Sequence, residues 1–391
     1  MQAGLIMLCL AYVLSQFFRA FLAVLATALE RDLGATAEDL AFASGLWFLV
    51  FAAMQLPLGW ALDRIGPRRS AAVLIAVGAA GGSAIFALAT APWQIGLAMA
   101  MIGLGCSPAL MASYFIFARE YPPARFATLA ALMLGVGSLG NLIASYPTAW
   151  AVESIGWRAT MGVLAALSLT VAAGTFLTVR DPERIISETK GSVLDLLRMP
   201  ALWPIFALMI VNYAPSGAVR GLWIGPYLTD VYMLSPTQIG QATLVMGVAM
   251  ILGTFFFGPL DRFFGTRKGV ILTGNLVCGL ITLTLAFFIT AGPVTAILLM
   301  AAIGFTGATY PVIIAHARSF FPAHLAGRGV TLINLFGMGG IGVMQSMSGR
   351  LHSETIDTAV ISASYQAIFL FFGISLLIGV AIYVFSRDSM N

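Results

Sequence analysis

Long apolar runs constrain this chain more than any motif does. A helix needs roughly 20 apolar residues to cross the hydrocarbon core of a bilayer. Twelve stretches of the 391-residue sequence reach that range: 4–28, 39–60, 70–90, 93–117, 126–150, 157–179, 202–228, 238–259, 269–290, 294–317, 328–349 and 362–385. Hydrophobic residues make up 60% of the chain and charged residues only 9%, against about 25% charged in soluble domains. A chain this apolar cannot solvate its own surface, so lipid is its solvent. The sequence therefore predicts an all-α membrane protein with twelve transmembrane helices. The first run is long enough to span and follows no basic segment and cleavage site, so it is expected as a retained helix. Cys9, Cys106 and Cys278 fall in apolar runs without CxxC spacing and predict neither disulfide nor zinc.

The connections are short except at 180–201, RDPERIISETKGSVLDLLRMPA, at the middle of the chain. This segment divides the chain into an N-terminal bundle (1–179), a central loop (180–201) and a C-terminal bundle (202–391). Within the loop, Val193, Leu194, Leu196 and Leu197 oppose Asp195 and Arg198, the pattern of a short amphipathic helix at the membrane surface. Lys and Arg placement sets orientation. With a cytoplasmic N-terminus, fifteen basic residues fall in cytoplasmic segments and only Arg31, Arg158 and Arg350 on the other side. Both termini are thus expected in the cytoplasm, in a multi-pass protein of the bacterial inner membrane.

The chain repeats itself. GWALDRIGPRR (59–69) follows the second run and GPLDRFFGTRK (258–268) the eighth; FAREYPPARFATL (117–129) follows the fourth and HARSFFPAHLAGRGVTL (316–332) the tenth. Two pseudo-symmetric six-helix bundles related by an axis along the membrane normal produce such a pattern. At these residues the sequence resembles the major facilitator superfamily. Gly59, Asp63, Arg64, Gly66, Arg68 and Arg69 match that family's signature between its second and third helices. The second copy departs by one residue, with Gly258 nearer Asp261 and Gly265 further from Arg262. The resemblance implies rocker-switch alternating access and gating roles for the loop residues. Asp63 would meet the start of the eleventh helix near Arg328, and Arg64 and Arg68 would pair with acids such as Glu120. Asp261 and Arg262 would act likewise against the fifth helix, with Arg119 and Arg318 beside these loops.

Two arginines remain, both inside spans. Arg at the centre of a span costs about 2.5–3.5 kcal/mol on the insertion scale, and such residues face a bundle interior or a wet cavity. Tyr12, Ser15, Gln16 and Arg19 recur at i, i+3, i+4 and i+7 and so share a helical face. Asn212, Tyr213, Ser216 and Arg220 repeat the arrangement in the seventh run, near the repeat offset. In the family's fold the first and seventh helices face each other across a central cavity, so the resemblance implies two converging guanidinium groups. Guanidinium forks bind carboxylate, phosphate or sulfonate bidentately. By position alone, the pair is similar to that of the organophosphate/phosphate antiporters. Asn141, Tyr310 and Asn334 are further expected cavity residues, as are Tyr114, Ser145 and Gln345. No Asp or Glu is expected deep in a span; the nearest are Glu30 and Asp230. His316 is expected at the cytoplasmic end of the tenth span, His324 in the loop after it and His352 outside.

The function expected is secondary transport of a small anionic organic solute by a monomer, with no cofactor and no nucleic-acid partner. Exchange, facilitated diffusion or symport fit better than drug export, because the fifth span lacks the drug antiporters' Gly-Pro-Gly-Gly-type motif. Two alternatives have sequence support. Met246 and Met250, with Cys278 in the next span, offer soft ligands for Cu(I), and a copper-importing branch of the family uses such pairs. The Tyr and Trp content suits a neutral aromatic nutrient such as a vitamin. No P-loop, nucleophile elbow or metal triad occurs, so no enzyme is expected; GMGGIG (337–342) sits in an apolar run and reads as helix packing.

Overall fold

A computed structural model describes residues 2–183, 193–322, 325–355 and 361–389. Every regular element among the described residues is helical. Among the described residues nine helices are long and apolar enough to cross a membrane, and two bent pairs bring the number to eleven. The spans in chain order are α1 (Ala3–Phe17 with Leu22–Leu33), α2 (Ala37–Ala53 with Gln55–Arg64), α3 (Pro67–Ala87) and α4 (Pro92–Glu120). Next comes α5, formed by Pro123–Ile143 and, past a break at 144–145, residues 146–155; a turn at Gly156 (φ 82°) leads into α6 (157–178). The second half holds α7 (Pro200–Tyr232), α8 (Pro236–Phe264), α9 (Arg267–Phe287), α10 (Pro293–Arg318), α11 (Arg328–Thr355) and α12 (Ser362–Tyr383). α5, whose apolar core Leu132–Ile143 falls short of span length by itself, makes the twelfth.

Cα proximity divides the chain into two compact units: Met1–Ser187 with Pro236–Gln241, and Glu188–Ser235 with Ala242–Asn391. The division falls inside the expected central loop. The first turn of α8 belongs with the first unit, where Thr237 donates its hydroxyl to Glu153. Residues 184–192 and His324 lie outside the described residues. The short amphipathic helix forms at Val193–Leu197, with Leu196 buried and Asp195 exposed.

Helix starts follow local chemistry. Thr36 and Asp39 form a capping box at α2. Proline occupies the first turn of α3, α4, α5 and α10, where its missing N–H costs nothing. Thr266 caps α9 by accepting from the Gly269 N–H at 2.9 Å. Within each unit small residues let backbones touch. A Cβ at Gly105 would lie 2.0 Å from the Ala79 nitrogen of α3, and one at Gly140 of α5 would lie 2.0 Å from the Val13 carbonyl of α1. In lipid, where helices gain little from leaving the solvent, such close contacts carry the packing.

Several expected continuous helices are interrupted, α2 at Met54 and α10 at 307–309 among them, and two of the interruptions hold an arginine. α1 stops at Phe17, passes through four residues of turn and restarts at Leu22 with a 56° bend. The Ala20 N–H bonds the Phe17 carbonyl, three residues back. Neither proline nor glycine occupies the break; Phe17, Phe18 and Phe21 pack their rings around it. In α7, residues Val219–Trp223 form a π-helical turn, a geometry frequent at functional sites. Arg19 lies in the first interruption and Arg220 in the second.

Candidate substrate-binding and gating sites

In the first unit the helix breaks at Arg19, the last residue of the stripe that the sequence predicts through Tyr12, Ser15 and Gln16. Gln16 donates to the Tyr12 hydroxyl at 3.1 Å, and Ser15 is buried with its hydroxyl on the Cys106 carbonyl of α4 at 3.4 Å. Arg19 instead turns to α2. Its guanidinium carbon sits 5.4 Å from the Trp47 ring centre and 5.0 Å from that of Phe51, within cation–π range. Its Nε is buried without a hydrogen-bond partner, and it forms no ion pair among the described residues. Tyr114 and Asn141 are half-buried, and Asn141 accepts the Ser145 hydroxyl at its carbonyl.

In the second unit Arg220 is 2% exposed. One turn on, Trp223 donates its indole N–H to Ser348 of α11 at 2.8 Å. Asn212 does not line an open space. Its amide donates to Asn275 of α9 at 2.5 Å and to Thr309 of α10 at 3.0 Å, and Asn275 donates to Thr309 at 3.0 Å. All three are fully buried, so Asn212 is spent on holding three helices together. Asn275→Leu should cost about 1–3 kcal/mol, readable as a lowered melting temperature with ligand binding retained. Ser216 is likewise buried against Gly307 of α10. Tyr213, Tyr310 and Asn334 stay half-buried and form a cluster: the two rings meet edge-on at 5.6 Å, and Tyr310 donates to Asn334 at 2.8 Å.

His352 lies beyond the expected end of its run, in the last turns of a longer helix. It belongs to α11, is buried, and packs its ring on Trp223 and Tyr365. Tyr365 of α12 in turn donates to Asp230, which is half-buried near the end of α7. The sequence reading placed both residues at the margin because the apolar runs end before them; the helices continue.

The cytoplasmic loops find partners within their own units. Asp63 takes Arg119 of α4 at 3.1 Å, and Arg119 also reaches the Glu183 carbonyl. Arg68 donates to the Phe176 carbonyl of α6 and lies over its ring, rather than to Glu120. Asp261 accepts from the Arg262 N–H and from Arg267. Arg64, Glu120, Arg262 and Arg318 are exposed.

A repeat escaped the sequence reading. Arg180-Asp181 follows α6 and Arg387-Asp388 follows α12. Asp181 accepts the Arg68 N–H at 2.8 Å, and Asp388 accepts the Lys268 N–H at 3.1 Å, each at the first turn of the helix after the signature loop. Gly66 (φ 102°) makes room: a Cβ there would lie 2.7 Å from the Asp181 carboxyl. Burial pushes the Asp388 carboxyl up, but bonds from Thr266 and Lys268 outweigh it and hold it below the usual carboxylate range. A carboxylate held low stabilises the fold above its unfolded value, about 3.9, and loses that contribution as pH falls through its folded value. Asp388→Asn should therefore cost under about 1 kcal/mol at neutral pH, because the site is exposed. The melting temperatures of variant and wild type should converge in acid, as pH falls through the folded carboxyl's lowered value.

The sequence profile of the Major Facilitator Superfamily matches residues 8–224 and again residues 216–390. The chain belongs to the major facilitator superfamily. Each half carries the family pattern, as the repeated loops lead one to expect. The superfamily fold is shared with the D-xylose–proton symporter, at a TM-score of 0.81 over 98% of this chain and 97% of that one, with 15% identity. In sequence the chain is similar to the gentisate transporter of Corynebacterium glutamicum, 24% identical over 81% of this chain and 73% of the relative. It is also similar to the sialic acid transporter NanX of Escherichia coli, 22% identical over 74% and 73%. This superfamily member is a multi-pass inner-membrane transporter of small solutes.

The soft ligands considered for copper serve helix packing. Met246 and Met250 lie against Gly304 of α10, and the Cys278 thiol donates to the Ile303 carbonyl at 3.7 Å. No group of three or more His, Cys, Asp or Glu suited to a metal occurs among the described residues.

Proposed function

We propose that the transported solute is a small organic carboxylate, recognised by Arg19 in the first unit and Arg220 in the second. The observation that carries this reading is the placement of both arginines. Each sits in an irregular stretch of its helix, in near-equivalent positions of the repeat, where a guanidinium is costly to keep unless it serves. Guanidinium groups away from bulk water favour a bidentate anion. Trp47 and Phe51 beside Arg19 supply apolar walls for the body of the solute. Tyr12, Gln16 and Asn141 of the first unit, and Tyr213, Tyr310 and Asn334 of the second, are the half-buried or hydroxyl-bearing groups for its remaining polar atoms. Gentisate and sialic acid, the solutes named for the two relatives, are carboxylates, which favours that class over phosphate esters. Asp63–Arg119 and Asp261–Arg267 are the gate contacts of the alternating-access cycle.

The test is flux. Proteoliposomes holding the protein and preloaded with unlabelled gentisate should accumulate labelled gentisate by counterflow, and excess benzoate should compete. Counterflow of labelled xylose, with no carboxylate moved or competing, would contradict the reading.

A further inference from the structure

Gln345 of α11 is fully buried, and neither end of its amide has a hydrogen-bond partner among the described residues. A buried amide left open keeps its whole desolvation cost, so leucine would serve better there unless something binds. Because both ends are open, the conclusion does not depend on which is oxygen and which nitrogen. The same face of α11 carries Ser348 one turn on and His352 beyond it. His352 is 3% exposed and has an unpartnered Nε2.

The register of α11 against α7 fixes what lies opposite. Phe206 stacks on Phe336 at 4.5 Å, Met209 reaches Gly337, a Cβ on Gly217 would meet Ile341, and Trp223 bonds Ser348. Partners ascend together, so the two helices run parallel. Arg220, between Gly217 and Trp223, comes level with Gln345, between Ile341 and Ser348.

A guest at that level meets a fixed cation, an amide donor and an amide acceptor. A carboxylate answers the first two. It cannot answer the third, because it has no proton to donate. A hydroxyl carried near the carboxylate answers all three. We infer that Gln345 is the specificity-determining residue of the second unit and selects hydroxylated organic acids over their unhydroxylated counterparts. The assignment rests on the carboxylate reading of Arg220 and adds the requirement for a hydroxyl.

Matched pairs test it: phenylacetate against mandelate, and propionate against lactate, titrated onto the purified full chain. The wild type should bind the hydroxylated member about tenfold more tightly, the factor one hydrogen bond near 1.4 kcal/mol provides. Gln345→Leu keeps the bulk and removes both open amide ends. It should melt no lower than the wild type and bind the two members of each pair within about twofold of each other. Gln345→Met makes the same comparison if the leucine variant does not fold. Equal affinity for both members in the wild type overturns the role of Gln345 and leaves the carboxylate reading standing. A hydroxyl preference that survives the substitution does the same. Failure of every acid to bind overturns the carboxylate reading and this inference with it.

Discussion

Arg19→Ala is expected to weaken carboxylate binding about a hundredfold, and Arg220→Ala by a similar factor. Hydrogen bonds to a charged group contribute about 1.5–3 kcal/mol, and 2.7 kcal/mol is a factor of a hundred. Arg19→Lys should recover only part of the loss, because an ammonium cannot reproduce the planar fork. Arg19→Ala should not lose stability. Arg19 forms no ion pair among the described residues, and its Nε is buried without a partner; removing a guanidinium from such a place relieves a cost. The combination separates a binding role from a packing role: affinity falls while the melting temperature holds or rises. Isothermal titration and thermal unfolding of the same preparation measure both.

Gly140→Leu is expected to be among the most damaging single changes to the fold of the first unit. The Cβ of residue 140 would lie 2.0 Å from the Val13 carbonyl and 2.9 Å from the Phe17 nitrogen. Both are backbone atoms of α1 and cannot rotate away. Overpacking commonly costs 1–3 kcal/mol, and here a helix must move, so a loss of more than about 3 kcal/mol is expected. Phe17 is the last residue of the helix before the Arg19 break. A milder push, Gly140→Ala, should therefore disturb ligand affinity as well as stability. Yield of monodisperse protein and its melting temperature check the first claim, and ligand titration of the alanine variant checks the second.

Much of this was legible in the sequence, because lipid imposes a simple code. Span length, basic-residue bias and the duplicated Asp-Arg loops are properties of composition and spacing, and they lead to the superfamily fold without any tertiary contact. The site was less legible for three physical reasons. The break at Arg19 carries no proline or glycine; it is a tertiary effect of packed phenylalanines, which no local signal in the sequence announces. The π turn at Arg220 likewise shifts the face by a fraction of a turn that no periodicity reveals. Polar residues in a span have two uses, lining a cavity or bridging helices, and only contacts decide between them. Asn212 resolves to bridging through Asn275 and Thr309, whereas Gln345, similar in sequence context, has no bridging partner among the described residues. The Arg-Asp doublets after α6 and α12 were present as a repeat and went unread because they lie outside the signature loops.

Charge recognition is isolated most directly by comparing benzoate with benzamide. The two are nearly the same shape, and only one carries a charge at neutral pH. A ligand at a hundred times its dissociation constant stabilises a protein by about 2.7 kcal/mol, a readily measured shift in melting temperature. The purified transporter should be stabilised by benzoate and not by benzamide, and Arg19→Ala should erase the difference. Equal stabilisation by both compounds, or by benzamide alone, would contradict recognition of the solute through its negative charge.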